Sequence, residues 1–291
     1  MIRQLASFLA VSFAAMALAG CPESEAPKKE KAHKEHAESK GHAANQKGEK
    51  KGEEKAEKKG GGGAEGKFGT ATIKGVVDFT GKAPEMKVPA KRKDAEFCKD
   101  KEIKYNAVVV NDGKLQDVLV RIAPGALKGD YKGKAAEIDQ KDCMYEPRIQ
   151  GVVAGSDIMI KNGDSTLHNV HTFKGTETWF NQAQPKGSDP IKKEMPEDNK
   201  IVKFTCDVHP WMHGFVVVTD HPFFAVSGKD GTFTIEKVPA GDYDVEAWHT
   251  QYGLKKGHVK VEDGKTAEVK FTYDGTEAEP AENKDELKGL W

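Results

Sequence analysis

Apolar residues in most of this chain stand in short runs, which are separated by turn sequences rich in Gly, Asp and Asn. One run, Ala71–Phe79, partly alternates apolar and polar residues, and a hairpin-like turn at 111–114 divides two others. Runs of the same kind continue to residue 271, and no segment shows a long helical period. Short strands at this spacing are typical of β-sandwiches, so the sequence predicts an all-β fold from residue 69 onward.

The two ends of the chain have a different composition. An apolar run, Leu5–Ala19, follows a short basic start and is too short for a comfortable membrane span, which predicts a signal peptide over residues 1–20. Residues 22–67 contain no Val, Ile, Leu, Met, Phe, Trp or Tyr, and they predict a disordered tether over 21–68. Residues 276–291 are acidic and polar and are expected to form a loose tail.

The charge balance argues against one class of partner. The chain has 291 residues, with 45 Lys and Arg against 46 Asp and Glu, and a formal net charge of −1. This near-zero net charge does not indicate a basic surface that would bind nucleic acid, so no nucleic-acid partner is expected. The length leaves room for a tail and one or two domains with substantial cores.

The candidate chemistry lies in a loop between two predicted strands. Cys206, His209 and Met212 stand three residues apart there, and they offer a thiolate, an imidazole and a thioether. One Cys, two His and a long axial Met form the blue-copper electron-transfer site, so this loop would supply three of four ligands. A single Cys argues against a binuclear copper site, and structural zinc prefers paired Cys and His ligands. The missing His is expected upstream, after the strand-like Asp157–Lys161.

Both segments carry a resemblance to a known family. Asn162 at a strand end, His-Asn-Val-His at 168–171 and the later Cys-x2-His-Pro-aromatic-Met loop resemble the cupredoxins of the amicyanin and plastocyanin type. The resemblance implies a Greek-key β-sandwich that holds one type 1 copper ion. It also implies that Asn169 fastens the His loop to the Cys loop. The copper ligands that it implies are His168, Cys206, His209 and Met212.

Two further histidines have open roles. His213 departs from the family pattern because it directly follows Met212, so either side chain is a candidate for the axial position. His171 lies two residues from His168 on a predicted strand, and therefore on the same face. It is either a support or reserve ligand for the metal or an ordinary hydrogen-bonded His.

The resemblance further implies where electrons would leave the site. It places His209 at the domain surface as the electron port, with Pro210 and Trp211 in an apolar docking patch. The alternative is that Trp211 packs in the core beneath the loop. Redox encounters use small, weak interfaces, and the expected partners are redox proteins such as c-type cytochromes or a dehydrogenase.

A second resemblance lies towards the C-terminus. The pattern Asp-Gly-x-Phe-x-Ile at 230–235, followed by Pro-x-Gly-x-Tyr-x-Val at 239–245, resembles the carboxypeptidase regulatory-like module, a transthyretin-like β-sandwich. That module begins with a strand like Ile73–Val77. We therefore expect residues 70–84 with 219–275 to form this module, and the cupredoxin-like domain, 85–218, to be inserted in it. The alternative makes 70–84 the first cupredoxin strand.

The four cysteines fall into different roles. Leu-Ala-Gly-Cys at 18–21 resembles the bacterial lipobox, which implies lipidation of Cys21; an ordinary secretory signal is the alternative. The following Pro22 favours the outer membrane of the bacterial envelope, facing the periplasm or cell surface. Because export permits disulfides, Cys98 and Cys143 are expected to pair, with free thiols or a second metal site as alternatives. Loss of the pair is expected to lower stability and leave the copper spectrum largely intact.

These features favour a membrane-anchored copper protein that carries single electrons between redox partners of the envelope. An enzyme of the nitrite-reductase type would need a second, His-only copper centre, and the sequence carries no mark of one, so no enzymatic activity is expected. Two other functions remain open. One is copper storage or delivery by the same ligands, and the other is a structural or glycan-contacting surface lipoprotein.

Overall fold

A computed structural model describes residues 65–85, 95–99, 101, 103 and 106–277. The signal peptide, the lipidation site Cys21, the tether up to residue 64 and the tail from residue 278 lie outside the described residues. Within the described ranges, no helix has the length and apolar character needed to cross a membrane.

The described residues form β-strands joined by turns, with one short helix, α1 (Ala95–Cys98), so the predicted all-β fold is confirmed. The strands are β1 (Ala71–Phe79), β2 (Val110–Asn111), β3 (Lys114–Leu115), β4 (Leu119–Ile122), β5 (Ala136–Lys141), β6 (Met144–Glu146), β7 (Ile149–Val153), β8 (Asp157–Asn162), β9 (His168–Lys174), β10 (Glu177–Gln184), β11 (Ile191–Glu194), β12 (Ile201–Thr205), β13 (His213–Thr219), β14 (Phe224–Val226), β15 (Thr232–Val238), β16 (Gly241–His249), β17 (Gly253–Val261) and β18 (Thr266–Tyr273).

The first sandwich, which we call the ligand sandwich, contains the candidate ligand loop. Its two sheets have the strand orders β10-β9-β12-β13-β7 and β11-β8-β5-β6. Alternation sets the inner face of β12, where Val202 and Phe204 are buried between half-buried neighbours. The disulfide between Cys98 and Cys143 attaches α1 to the core of this sandwich.

The second sandwich, which we call the C-terminal sandwich, is discontinuous in sequence. In one sheet β1 pairs antiparallel with β15 and parallel with β18, so residues 71–79 share a sheet with the last strand of the described chain. The other sheet has the order β14-β4-β16-β17. Its core is apolar and aromatic, and it includes Ile73, Phe223 and Tyr273.

Residues 110–122 correct one expected boundary. The range 85–218 assigned them to the cupredoxin-like domain, but the structure places them in the C-terminal sandwich. β3 extends the sheet of β1 through the pair Asp78 and Lys114, and β4 lies between β14 and β16. The strands of the ligand sandwich therefore begin with β5, at residue 136, while α1 joins the core of this sandwich from earlier in the chain.

The two sandwiches share a small core that involves strand β13. Phe215 and Val217 on one face of β13 pack with Leu119 and Trp248, whereas Val216 and Val218 on the other face belong to the core of the ligand sandwich. Because a core covers each face of β13, the sequence of this strand is a continuous apolar run and does not alternate apolar with polar residues. The strand that leaves the ligand loop is thus packed on both sides.

Candidate metal centre

Three adjacent strands bring the candidate ligands together. His168 opens β9, Cys206 follows β12 directly, and β12 pairs antiparallel with both β9 and β13. Between β12 and β13 the chain makes a tight turn, in which the Met212 N–H donates to the His209 carbonyl at 2.9 Å. The turn carries His209 back over the end of β9, next to His168.

The three donor atoms converge in a buried space. Cys206 Sγ lies 3.8 Å from His168 Nδ1 and 3.7 Å from His209 Nδ1, and the two Nδ1 atoms are 2.8 Å apart. Cys206 is 1% exposed and both histidines are 0% exposed. In the part of the chain that the structure describes, this is the group of His, Cys, Asp or Glu residues found close enough to hold a metal ion.

The two sulfur–nitrogen separations match what a metal ion requires, whereas the two Nδ1 atoms lie closer together than a trigonal site would place them. Metal–sulfur and metal–nitrogen bonds of about 2.3 and 2.0 Å, at a trigonal angle, place sulfur about 3.7 Å from nitrogen. A thiolate with two imidazoles is a donor set that suits copper, and Met212, buried in the same core as Cys206, offers a thioether as a further soft donor. The residues present therefore fit one copper ion.

Hydrogen bonds prepare the sulfur for metal binding. Burial raises the pKa of the Cys206 thiol, but hydrogen bonds with His168, His209 and the Asn169 N–H outweigh it and lower the pKa to about 6. The Asn169 N–H donates to the sulfur at 3.4 Å. A thiolate is the metal-binding form of cysteine, so the pocket favours the form that a metal needs.

His168 is oriented from behind by a carboxylate that sequence analysis missed. Its Nε2 lies 2.9 Å from Asp164 Oδ2, which leaves Nδ1 to face Cys206. Asp164 also accepts from the backbone N–H groups of Asp142 and Cys143, each at 2.8 Å. Burial alone would raise the pKa of Asp164. The hydrogen bonds to His168 and to the two backbone amides outweigh that effect and lower the pKa, so the carboxylate stays ionised. The sequence signal that could have identified this carboxylate is the position of Asp164, four residues before His168.

Asn169 joins the His loop to the Cys loop, as the resemblance implied. Its Oδ1 accepts from the backbone N–H groups of Asp207 and Val208, and its Nδ2 donates to the Asp207 carboxylate at 2.9 Å. Tyr145, also missed from sequence, donates its hydroxyl to the Thr205 carbonyl at 2.9 Å. Both side chains fix the strand ends that carry the ligands.

His171 points away from the metal-binding group. Its Nδ1 lies 2.9 Å from Asp207 Oδ1, its Nε2 lies 3.0 Å from Thr178 Oγ1, and its ring packs on Phe173. Both ring nitrogens are therefore engaged elsewhere. The geometry matches the ordinary hydrogen-bonded His that the sequence left open.

Met212 and His213 lie in different surroundings. Met212 is fully buried in the same core as Cys206, whereas His213 is outside the metal-binding group of the described residues. Met212 lies in the turn before β13, and His213 is the first residue of that strand. Burial, together with the charges of Lys203 and Arg148, lowers the pKa of His213 to about 3. The surroundings favour Met212 as the axial candidate.

The structure buries His209, the expected electron port, and Trp211, one of the two residues of the expected docking patch. His209 is 0% exposed, and Trp211 is 2% exposed. The turn directs the Trp211 ring inward, where Nε1 donates to the Cys143 carbonyl at 3.0 Å, so Trp211 packs beneath the loop. Pro210 is exposed, and Leu167, which sequence analysis did not single out, is 46% exposed directly before His168. The sequence signal that could have identified Leu167 is its apolar side chain in the otherwise polar turn at 164–167.

Comparisons with known proteins give partial matches. A family model described as "BOS complex subunit NOMO1-like, second beta sandwich domain" matches residues 223–272, within the C-terminal sandwich. No curated protein matches the chain.

Among solved structures, a purple cupredoxin from Nitrosopumilus maritimus is 24% identical over 29% of this chain and 99% of its own, with a TM-score of 0.26. A mutant of amicyanin in its Cu(I) form is 26% identical over 29% of this chain and 81% of its own, with a TM-score of 0.23. A copper-containing nitrite reductase from Thermus scotoductus is 16% identical over 34% of this chain and 25% of its own, with a TM-score of 0.24. The described chain is thus a protein of two β-sandwiches, one of which encloses a Cys-His-His group that fits a metal ion.

Proposed function

We propose that this protein binds one copper ion in a type 1 site and carries single electrons. The observation that carries the proposal is the buried convergence of Cys206 Sγ with the Nδ1 atoms of His168 and His209, at 3.8 and 3.7 Å. Met212, fully buried in the same core, would complete the site. When bound there, copper supplies a one-electron couple between its two common oxidation states.

The contribution of the protein is to fix the positions of the donor atoms and to exclude water from them. The ladder of β9, β12 and β13, together with the Asn169 bonds to Asp207 and Val208, fixes donor positions on both loops. All three donors are buried, so water is excluded from the metal position. A site that keeps one geometry in both oxidation states needs little rearrangement when an electron passes.

The proposal extends to how the protein meets its partners. Leu167 and Pro210 are exposed, and each is adjacent in sequence to a ligand, which gives a redox protein an apolar surface close to the site. Weak, small contacts suit partners such as c-type cytochromes or a dehydrogenase. Lipidation at Cys21 would anchor the chain in the bacterial envelope, in the outer membrane, and would keep the site near such partners. No catalysed reaction is part of the proposal.

The test is the visible and EPR spectrum of the full chain loaded with copper. We expect an intense thiolate-to-copper band and one copper ion per chain, with the band abolished by Cys206→Ser. His258→Asn, which removes an exposed His of the C-terminal sandwich, is the matched control and should leave the band unchanged. A colourless protein that binds Cu(I) alone would overturn electron carriage in favour of copper delivery, and a protein that takes up no copper would favour a structural role.

A further inference from the structure

Cys143 is the residue at which the disulfide meets both ligand-bearing loops. Its sulfur is bonded to Cys98, its N–H donates to Asp164 at 2.8 Å, and its carbonyl accepts from Trp211 at 3.0 Å. The residue is fully buried. One backbone unit therefore contacts two side chains that each adjoin a different histidine of the metal-binding group.

The first connection runs through Asp164 to His168. A single oxygen, Asp164 Oδ2, lies 2.8 Å from the Cys143 nitrogen and 2.9 Å from His168 Nε2. The Asp164 side chain is 4% exposed, and the His168 side chain is 0% exposed. Charge-assisted hydrogen bonds are strong, and in a buried position no water is at hand to replace a lost partner. A shift of the Cys143 backbone would therefore move the carboxylate that aims His168.

The second connection runs through Trp211 to the ligand loop. Trp211 lies between His209 and Met212 in sequence, and its ring centre is 5.2 Å from that of His209. The hydrogen bond from its Nε1 to the Cys143 carbonyl fixes the ring beneath the loop. Displacing Cys143 would remove the acceptor that holds the inner side of this turn.

The backbone at Cys143 needs outside support. Asp142 and Cys143 have φ angles of 52° and 59°, a left-handed conformation that residues other than Gly adopt only when their surroundings hold them. The supports on the described chain are the Asp164 carboxylate, which accepts from both amides, and the disulfide to Cys98. Removing the disulfide removes the one covalent support.

We infer that the Cys98–Cys143 disulfide is a brace for the copper site, acting through Asp164 on His168 and through Trp211 on the ligand loop. Asp164 and Trp211 are then positioning residues. The inference rests on the proposed function, and it departs from the expectation that loss of the disulfide leaves the copper spectrum largely intact.

The test compares three variants of the full chain: Asp164→Asn, Cys98→Ala with Cys143→Ala, and all three changes together. Loss of a partner that orients a metal ligand typically lowers metal affinity by about 10–100-fold. We expect a fall of that size in Cu(II) affinity for Asp164→Asn, and a fall in the same direction for the cysteine pair. Because part of the effect of the disulfide runs through Asp164, the combined loss should be smaller than the product of the two.

Asp139→Asn is the matched control. Asp139 accepts from the Gly163 N–H at 2.8 Å, so it ties down the same turn, but its bonds do not include His168. This variant should keep the wild-type affinity and midpoint potential. If the cysteine pair lowers the melting temperature and leaves affinity, potential and spectrum at wild-type values, the disulfide only stabilises the fold and the inference is overturned.

A measurement without copper separates the inference from the proposed function. Nitrogen NMR of the metal-free chain reports which ring nitrogen of His168 carries the proton. We expect a proton on Nε2 in the wild type, where Asp164 accepts it, and a partial loss of that proton from Nε2 in Asp164→Asn and in the cysteine-pair variant. A chain that binds no copper yet shows this change would refute the proposed function alone, whereas an unchanged proton on Nε2 would refute the brace.

A second variant covers the case in which the cysteine pair does not fold. Trp211→Phe keeps a buried ring and removes the Nε1–H that the Cys143 carbonyl accepts. We expect a shifted thiolate-to-copper band and midpoint potential. Trp248→Phe, in the core between the sandwiches, is its control and should leave both unchanged. A Trp211→Phe protein with the wild-type spectrum and potential would remove the second connection and contradict the inference.

Discussion

The two sandwiches share an architecture and differ in what they enclose. The C-terminal sandwich has an apolar core, and its buried Tyr273 hydroxyl donates to the Ala247 carbonyl at 2.8 Å. The ligand sandwich encloses two histidines, a cysteine and a carboxylate at one end of its core. It also has the disulfide and the Asn169 link, which tie its loops together.

The difference shows what burying polar groups requires. A buried polar group costs free energy unless it is hydrogen-bonded, so the ligand sandwich needs a second layer of partners around its donors. The C-terminal sandwich also buries a histidine, His249, but that ring stacks on Tyr252 and its Nδ1 accepts two backbone N–H groups. Burial of a His alone therefore does not mark a metal site; convergence with a thiolate does.

The largest expected effect comes from truncating a core phenylalanine in each sandwich. Phe204→Ala and Phe223→Ala both remove a fully buried ring, and each should lower the free energy of unfolding by about 3–5 kcal/mol. Only Phe204 lies on β12, two residues before Cys206, so only its loss should also change the copper spectrum. Chemical denaturation and visible spectra check both. An equal spectral change in Phe223→Ala would mean that the sandwiches do not act separately.

A smaller effect is expected from breaking one polar link in each sandwich. Asn169→Ala leaves the Asp207 and Val208 amides without their acceptor, which should cost about 1–3 kcal/mol and weaken copper binding. Tyr273→Phe removes hydroxyl bonds to two carbonyls of the C-terminal sandwich and should cost about 1 kcal/mol, with copper affinity unchanged. Copper titration separates the two; a normal affinity in Asn169→Ala would count against its role.

A third pair of variants changes the site with little effect on stability. Met212→Leu and Met195→Leu are near-isosteric changes in one core, and each should cost less than about 1.5 kcal/mol. Loss of an axial thioether disfavours the more highly coordinated Cu(II) state, so Met212→Leu should raise the midpoint potential. Met195→Leu is the control for packing alone. Equal potentials in both variants would rule out Met212 as the axial ligand.

The smallest effect is a pH dependence within the C-terminal sandwich of the metal-free chain. Burial, aided by the Arg148 charge, holds the pKa of His249 well below its usual range. The unfolded chain takes up this proton near pH 6.5 and the folded chain does not, so stability should fall as pH drops below about 6.5. His249→Gln should flatten that fall, as measured by denaturation between pH 7 and about 5.

The exposed His258 should respond in the opposite sense. Hydrogen bonds with Asp244 and Asp242 raise its pKa. Its contribution to stability is therefore present below the unfolded pKa and is lost as pH rises through the raised folded pKa. An NMR titration of the His258 ring should give a midpoint above that of the Asp244→Asn variant. A lower midpoint in the wild type would contradict the assignment.

The amino-acid sequence by itself determined that the chain forms short strands, and it determined the spacing of the candidate ligands. It also identified three candidates for metal binding that converge in the fold. Each depends on local information: alternation sets which face of a strand is apolar, and a tight turn keeps Cys206 and His209 within reach of one metal ion. The pairing of Cys98 with Cys143 was an inference from counting, and the structure shows that bond.

Only the tertiary structure decided which partner covers each apolar face. It placed residues 110–122 in the C-terminal sandwich, turned Trp211 inward and brought Asp164 against His168. Strand pairing between residues far apart in sequence cannot be predicted from the local pattern. The reason is that an apolar strand has the same local sequence pattern whichever sheet it joins. The candidate ligands could be identified from the sequence, but the residues that orient them are defined by contacts between segments distant in sequence.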